Sequence, residues 1–212
     1  YDFLYNAILF KSFGVLFFCC IYIFYYEGGD TINYFIGSRS LGNLLENDFS
    51  KGVAILFNID SPHNSWYSFP RHDHPPYYMW KDPNTFAVSR YTLLIYFIAA
   101  KGFLATSLLT SCFSLIGVWK VFRLFNILYP GNSRIFAYLI LYLPTLIFWG
   151  GGIMKDSYVL GSTCWITYNF YMIFIRRKKI FFNLIFFTIN LFLIITIKSY
   201  IILSLIPGML LW

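Results

Sequence analysis

Charge is scarce in this sequence. Asp, Glu, Lys and Arg make up only 12% of its 212 residues, about half the share of a soluble domain, and only nine are acidic. So few charges cannot cover a water-facing surface of this size, which excludes an ordinary soluble fold. No A-x-A-like cleavage site follows the first apolar stretch, so that stretch reads as an anchor and not as a removable signal. The four cysteines, Cys19, Cys20, Cys112 and Cys164, all lie in apolar stretches without C-x-x-C spacing. That argues against a disulfide framework and a thiolate metal site, and leaves them as small packing residues.

Apolar and aromatic side chains fill the space. Hydrophobic residues reach 58% and aromatics 23%, with Phe 25 and Tyr 18, and the mean hydropathy is +0.63. The expectation is an all-α, polytopic transmembrane helix bundle forming one domain over residues 1–212. A bilayer needs about 20 apolar residues per helical crossing. Asn6 to Tyr26 is the first such span, with Lys11 close enough to one end to snorkel toward the interface. Residues 27–90 follow as a long polar loop holding Pro62, Pro70, Pro75, Pro76 and Pro83. Tyr91 to Ala100 reads as a short interfacial or re-entrant helix, ended by Lys101-Gly102. Phe103 to Trp119 is the second span, Arg134 to Gly150 the third, Ser157 to Ile175 the fourth and Ile180 to Ile197 the fifth. A partial sixth begins after Lys198. The absence of Met at position 1 and the short run ending at Trp212 predict a piece of a longer chain.

The basic residues set an orientation. Lys120, Arg123 and Arg134 in one turn, and Arg176 to Lys179 in another, have no acid among them. Short Lys/Arg-rich turns stay in the cytoplasm, and the five-span parity puts both on that side, with the N-terminus. The formal net charge of +7 then reflects topology and gives no reason to invoke nucleic acid. The loop 27–90, the turn Gly150 to Asp156 and Lys198 all fall on the extracytoplasmic face.

Several groups on that face can carry chemistry. Glu27-Gly28-Gly29-Asp30-Thr31 sets two carboxylates beside a glycine turn at the water boundary. Such a carboxylate can act as a general base on an acceptor hydroxyl or hold a divalent cation beside a phosphate; the plainer reading is a helix C-cap with solvated charges. Gly150-Gly151-Gly152-Ile153-Met154-Lys155-Asp156 predicts a helix start whose free N–H groups, with Lys155, suit a phosphate; a tight hairpin with Lys155 paired to Asp156 fits as well. Lys198 at the end of the fifth span is a phosphate contact or an ordinary snorkelling lysine. The segment Pro62-His63 and Arg71-His72-Asp73-His74 carries the histidines. His72 and His74 flank an acid but lack a further ligand pair at helical spacing, so they read as substrate contacts or loop structure and no metal site is assigned. Trp66, Tyr67, Tyr77, Tyr78 and Trp80 can stack on sugars or sit at a membrane interface.

With these residues in view, the chain resembles bacterial membrane enzymes of the GT-C glycosyltransferase superfamily, in which a first span ends in an acidic extracytoplasmic motif. The stretch from Gly28 through Asp30 to Tyr34 also resembles the G-x-D-x-x-x-Y motif of exopolysaccharide polymerases. Gly152-Ile153-Met154-Lys155 is similar to their later glycine-plus-basic turn, with lysine where arginine is usual. The likeness covers residues 20–40 and 140–200. It implies glycosyl transfer or polymerisation at the extracytoplasmic face of a bacterial plasma membrane, from a polyprenyl-phosphate-linked sugar to a glycan acceptor. Asp30 would be the base, aided by Glu27. Lys155, Lys198 and Arg90 would hold the donor phosphate, and Tyr34, His72, His74 and loop aromatics would contact sugars. No nucleotide site is implied, and a divalent cation stays open. The alternative is a non-catalytic membrane protein, a transporter or assembly subunit; ionisable groups gathered at span ends rather than at mid-membrane argue against transport, with Lys101 ambiguous.

Overall fold

A computed structural model describes residues 2–59, 66–70 and 72–212. Among them every regular element is helical. Helix α1 (Asp2–Cys20) continues through a π-turn at Ile21–Tyr25. Next come α2 (Asp30–Asn47), α3 (Phe49–Leu56), α4 (Tyr77–Lys81) and α5 (Pro83–Ile98). The long α6 (Phe103–Leu128) leads to α7 (Ser133–Phe136), a π-turn at Ala137–Leu141, and α8 (Pro144–Trp149). Then α9 (Lys155–Phe170) runs through a third π-turn at Tyr171–Ile175, followed by α10 (Ile180–Lys198) and α11 (Tyr200–Leu211).

Among the described residues three helices are long and apolar enough to cross a membrane: Phe3–Tyr25, Phe103–Leu128 and Ile180–Lys198. The expected third span is interrupted. Pro144 has no N–H to continue a helix and disfavours helical backbone before it; it starts α8 at its first position, with Leu143 extended. The expected second span runs on past Trp119 to Leu128, so Lys120 and Arg123 belong to helix α6 and not to a turn.

The segment expected as a loop over 27–90 is largely helical. Asp48 accepts from the Lys51 amide to cap α3, and Asp82 accepts from Asn84 at the start of α5, with Pro83 next in line. These side chains satisfy amides that a helix start leaves open. Leu41, Leu44, Ile55, Phe69, Trp80, Phe86, Leu93 and Tyr96 then pack together as one buried cluster. Asp73 fastens the intervening chain to α2, accepting from Ser40 (3.2 Å) and Asn43 (2.7 Å).

Helix α6 is the hub, touching α1, α5 and α9. The first half of its buried face is made of small residues, Thr106, Ser107, Thr110, Ser111, Ser114 and Gly117, before Leu115, Val118, Phe122 and Leu124 take over. Without a hydrophobic gradient between helices in lipid, such faces let backbones approach closely. A Cβ on Gly117 would lie 2.3 Å from the Gly161 carbonyl oxygen of α9. Three hydroxyls on this face donate to backbone carbonyls, Thr106 to Gly102, Ser111 to Leu108 and Ser114 to Ser111. By contrast α10 is buried only at Asn190, Ile194 and Ile197, and turns Phe181, Phe182, Phe186 and Phe192 outward.

Lys11 does not snorkel. It is 5% exposed, and its Nζ donates to the carbonyls of Leu146 (3.1 Å) and Ile147 (3.3 Å). The Leu146 carbonyl also accepts from the Gly150 N–H, but the Gly151 N–H goes to Phe148 and bypasses Ile147, so a cation from α1 supplies the donor that the end of α8 lacks there.

The close α6–α9 contact yields a direct expectation. Gly117→Leu will push the two helices apart and cost about 1–3 kcal/mol or more, read as a lowered unfolding midpoint in detergent. Unchanged stability would mean the two backbones do not meet there.

Candidate functional site

The turn between α8 and α9 is polar backbone in apolar surroundings, and four helices secure it. Ser114 of α6 donates to the Gly150 carbonyl (2.8 Å). Ser157 of α9 donates to the carbonyls of Gly151 (3.2 Å) and Gly152 (2.9 Å). Lys11 of α1 holds the carbonyls just before it. The Ile153 N–H donates to Thr31 Oγ1 of α2 (3.2 Å). Gly152 has φ +72°, and a Cβ there would sit 2.4 Å from the Phe18 ring; both its conformation and its space require glycine.

This one bond between Ile153 and Thr31 joins the two stretches singled out in the sequence. Asp30 occupies the first turn of α2, and Lys155 the first position of α9. Asp30 is exposed and accepts a hydrogen bond from the Tyr78 hydroxyl (3.3 Å), which itself accepts from Asn33 (2.7 Å). Lys155 donates to Thr85 Oγ1 (2.6 Å) and lies 3.7 Å from Asp82. Thr85 in turn donates to Asp82. Lys198, at the end of α10, bonds Asp156 at 2.6 Å. Three carboxylates and two lysines from α2, α5, α9 and α10 thus gather at one end of the bundle.

Electrostatics tie them together. Burial raises the Tyr34 phenol above its ordinary range, and Asp30, Tyr78, Asp156 and Asp82 add to the effect. Burial likewise pushes Tyr78 up; the bond it accepts from Asn33 counters this, while Asp30 adds to it. Burial works against the Asp82 carboxylate, but the Thr85 hydroxyl, the Asn84 amide and Lys155 together hold its carboxyl below the usual range.

The other expected site residues fall elsewhere. Glu27 is exposed, with φ +49°, and has no hydrogen bond or ion pair among the described residues. Tyr34 is 2% exposed and packs with Met79, Val88 and Ile153 in a buried cluster. Arg90 turns away: it donates to Asn58 (2.8 Å) and lies over the Phe86 ring, in the neighbouring cluster. His74 stacks on Trp66 at 4.5 Å between ring centroids, and His72 is exposed. Pro62, His63 and Arg71 lie outside the described residues. Among the described residues no group of His, Cys, Asp and Glu is arranged to hold a metal ion. Lys101, ambiguous in the sequence, is exposed and paired with Glu46 at 2.6 Å. Asp82 went unassigned in the sequence, and Asp156 appeared only as a possible partner of Lys155; it pairs with Lys198 instead. The Asp82-Pro83 helix-start signal could have found the first.

No known protein family, characterised protein or solved structure matches the chain.

Asp82 gives a test with a definite sign. Its carboxyl is depressed in the folded state, so its stabilising contribution is present above the ordinary carboxylate pKa near 3.8 and is lost as pH falls through the folded value. Asp82→Ala removes a helix cap worth about 0.5–2 kcal/mol. The variant will melt below the parent at neutral pH, and the gap will close in strong acid. A gap independent of pH would detach the ionised carboxylate from stability.

Proposed function

We propose that the chain is the core of a multi-pass membrane glycosyltransferase or polysaccharide polymerase, drawing on a polyprenyl-phosphate-linked sugar at the extracytoplasmic face of a bacterial plasma membrane. The observation that carries the reading is the Ile153–Thr31 bond, which draws Asp30 and Lys155 to one end of the bundle, where Lys198 also arrives. Three long apolar helices fit a membrane protein. The broken stretch 133–149 and the segment 155–175 complete five crossings, with α11 opening a sixth. The Lys/Arg-rich ends of α6 and α9 then lie in the cytoplasm with the N-terminus, and the carboxylate–lysine end faces outward.

In this scheme Asp30 accepts the proton of an acceptor hydroxyl as that oxygen bonds to the anomeric carbon. The bond from that carbon to the phosphate oxygen breaks, and the phosphate leaves with the electron pair. Lys155 and Lys198 stabilise the charge that develops on it. In the donor's absence Asp82 and Asp156 hold the two lysines, so the phosphate enters by exchanging with those carboxylates. Tyr78 fixes the Asp30 side chain. Glu27 lies close along the chain, at the rim, and Arg90, His72 and His74 take no part.

A second reading draws on the same pairs. Because each lysine already has its own carboxylate, the cluster can serve as a latch joining α5, α9 and α10 in a non-catalytic transporter or assembly subunit.

Asp30→Asn separates the two. Loss of a general base lowers the rate by about 10²–10⁴-fold, so glycan product from the full-length protein will fall by at least about that lower figure while membrane insertion and stability stay unchanged. Undiminished product removes Asp30 from the chemistry and favours the latch. Labelling of single cysteines at positions 30, 155 and 178 with an impermeant thiol reagent checks the sidedness: the first two react from outside and the third is protected. Labelling of 30 and 155 from opposite faces would end the scheme.

A further inference from the structure

At the end of α6 remote from Asp30, a cavity of about 870 Å³ is lined by Lys120, Arg123, Arg177, Lys178 and Lys179. Four aromatic side chains, Trp165, Tyr168, Phe182 and Phe186, form much of the rest of its walls, and no carboxylate lines it. Such a concentration of like charge is unfavourable unless something neutralises it.

The chain shows no acid among its described side chains that does so. Between Asp82 and Asp156, and again from Ser157 to Trp212, it contains no Asp or Glu. Lys51, Lys101, Lys155 and Lys198 are each paired with an acid, whereas none of the five cavity cations makes an ion pair among the described residues. Nor are these cations simply splayed into water. Lys120 lies 4.7 Å from the centroid of Trp165 and 4.9 Å from that of Tyr168. Arg177 and Lys179 are held at φ +52° and +49°, conformations that non-glycine residues adopt at a cost. That fold in the chain brings the basic run back over the cavity, where the Lys178 amide bonds the Met172 carbonyl at 3.0 Å.

We infer that this cavity binds the phosphate headgroup of an anionic membrane lipid. Basic pockets between membrane helices on the cytoplasmic side suit such headgroups, and guanidinium and ammonium groups are strong donors to phosphate oxygens. The walls argue for a lipid over a soluble phosphate. Trp165 stacks on Phe186 at 4.9 Å, and the cavity opens beside the outward apolar face of α10, where Phe182 is 64% exposed. A headgroup among the cations would lay its acyl chain along that face. The inference rests on the chain lying in a membrane, and is independent of glycosyl transfer at the other end.

The test uses the full-length protein in neutral detergent with equal phosphatidylglycerol and phosphatidylcholine, counting retained lipid by native mass spectrometry. Phosphatidylglycerol will be retained in preference. Arg123→Gln combined with Lys178→Gln, two exposed cations from different elements, will lower its retention by at least about tenfold. Arg176→Gln, a cation of the same run that does not line the cavity, will leave retention unchanged. An equal loss with Arg176→Gln would show diffuse surface charge and no built site. Displacement of the lipid by millimolar inorganic phosphate would assign the cavity to a soluble anion and overturn the lipid. Failure of Asp30→Asn to affect product would leave all of these readings intact.

Discussion

An exposed backbone amide or carbonyl inside an apolar bundle costs far more than one in water, and the rest of this structure is arranged around that constraint at Gly150–Ile153. A chain that breaks off α8 and restarts as α9 leaves several such groups open at once. Each is met by a different helix: a hydroxyl from α6, a hydroxyl from α9 itself, an ammonium from α1 and a threonine from α2. The turn thereby becomes the point through which four helices are registered against one another. The positions of Asp30 and Lys155 are by-products of that registration, since each lies one or two residues from a bonded atom.

Much of this was legible in the sequence, and the remainder was obscured for identifiable reasons. The first span, the start of α9 at Lys155 and the boundaries of α10 followed from apolar run length and the glycine turn. The segment 27–90 did not, because its helices interleave apolar residues with Gly, Ser, Asn and charged ones, as α2 does from Asp30 to Asn47, and so lack an unbroken apolar run. Asp73 with Ser40 and Asn43 is a pairing across 30 or more residues, which no local pattern announces. Lys11 was misjudged for a related reason. Snorkelling is the default for a lysine near the end of an isolated helix, and only the broken helix opposite gives it somewhere inward to go.

The candidate site shows the same division. Asp30, Lys155 and Lys198 were visible because glycine turns and span ends advertise them. Their carboxylate partners were not assigned, since Asp82 reads as an ordinary loop acid until α5 is seen to bring it to Lys155. Arg90 lies apart from them: two turns along the same helix from Asp82, it faces Asn58 and Phe86. Helical phase, and not distance along the chain, decided which cations joined.

The Lys11 contact also carries a consequence in time. Its carbonyl partners lie 135 and 136 residues further along the chain, so while the first helix is being made the groups that will hold its ammonium do not yet exist. A ribosome adding about 5–20 residues per second needs several seconds or more to supply them. Until then the nascent first helix carries an unmatched cation in an apolar setting, which favours keeping it beside water or the insertion machinery. Its final docking must wait for α8, which makes completion of this bundle a late step in its own synthesis.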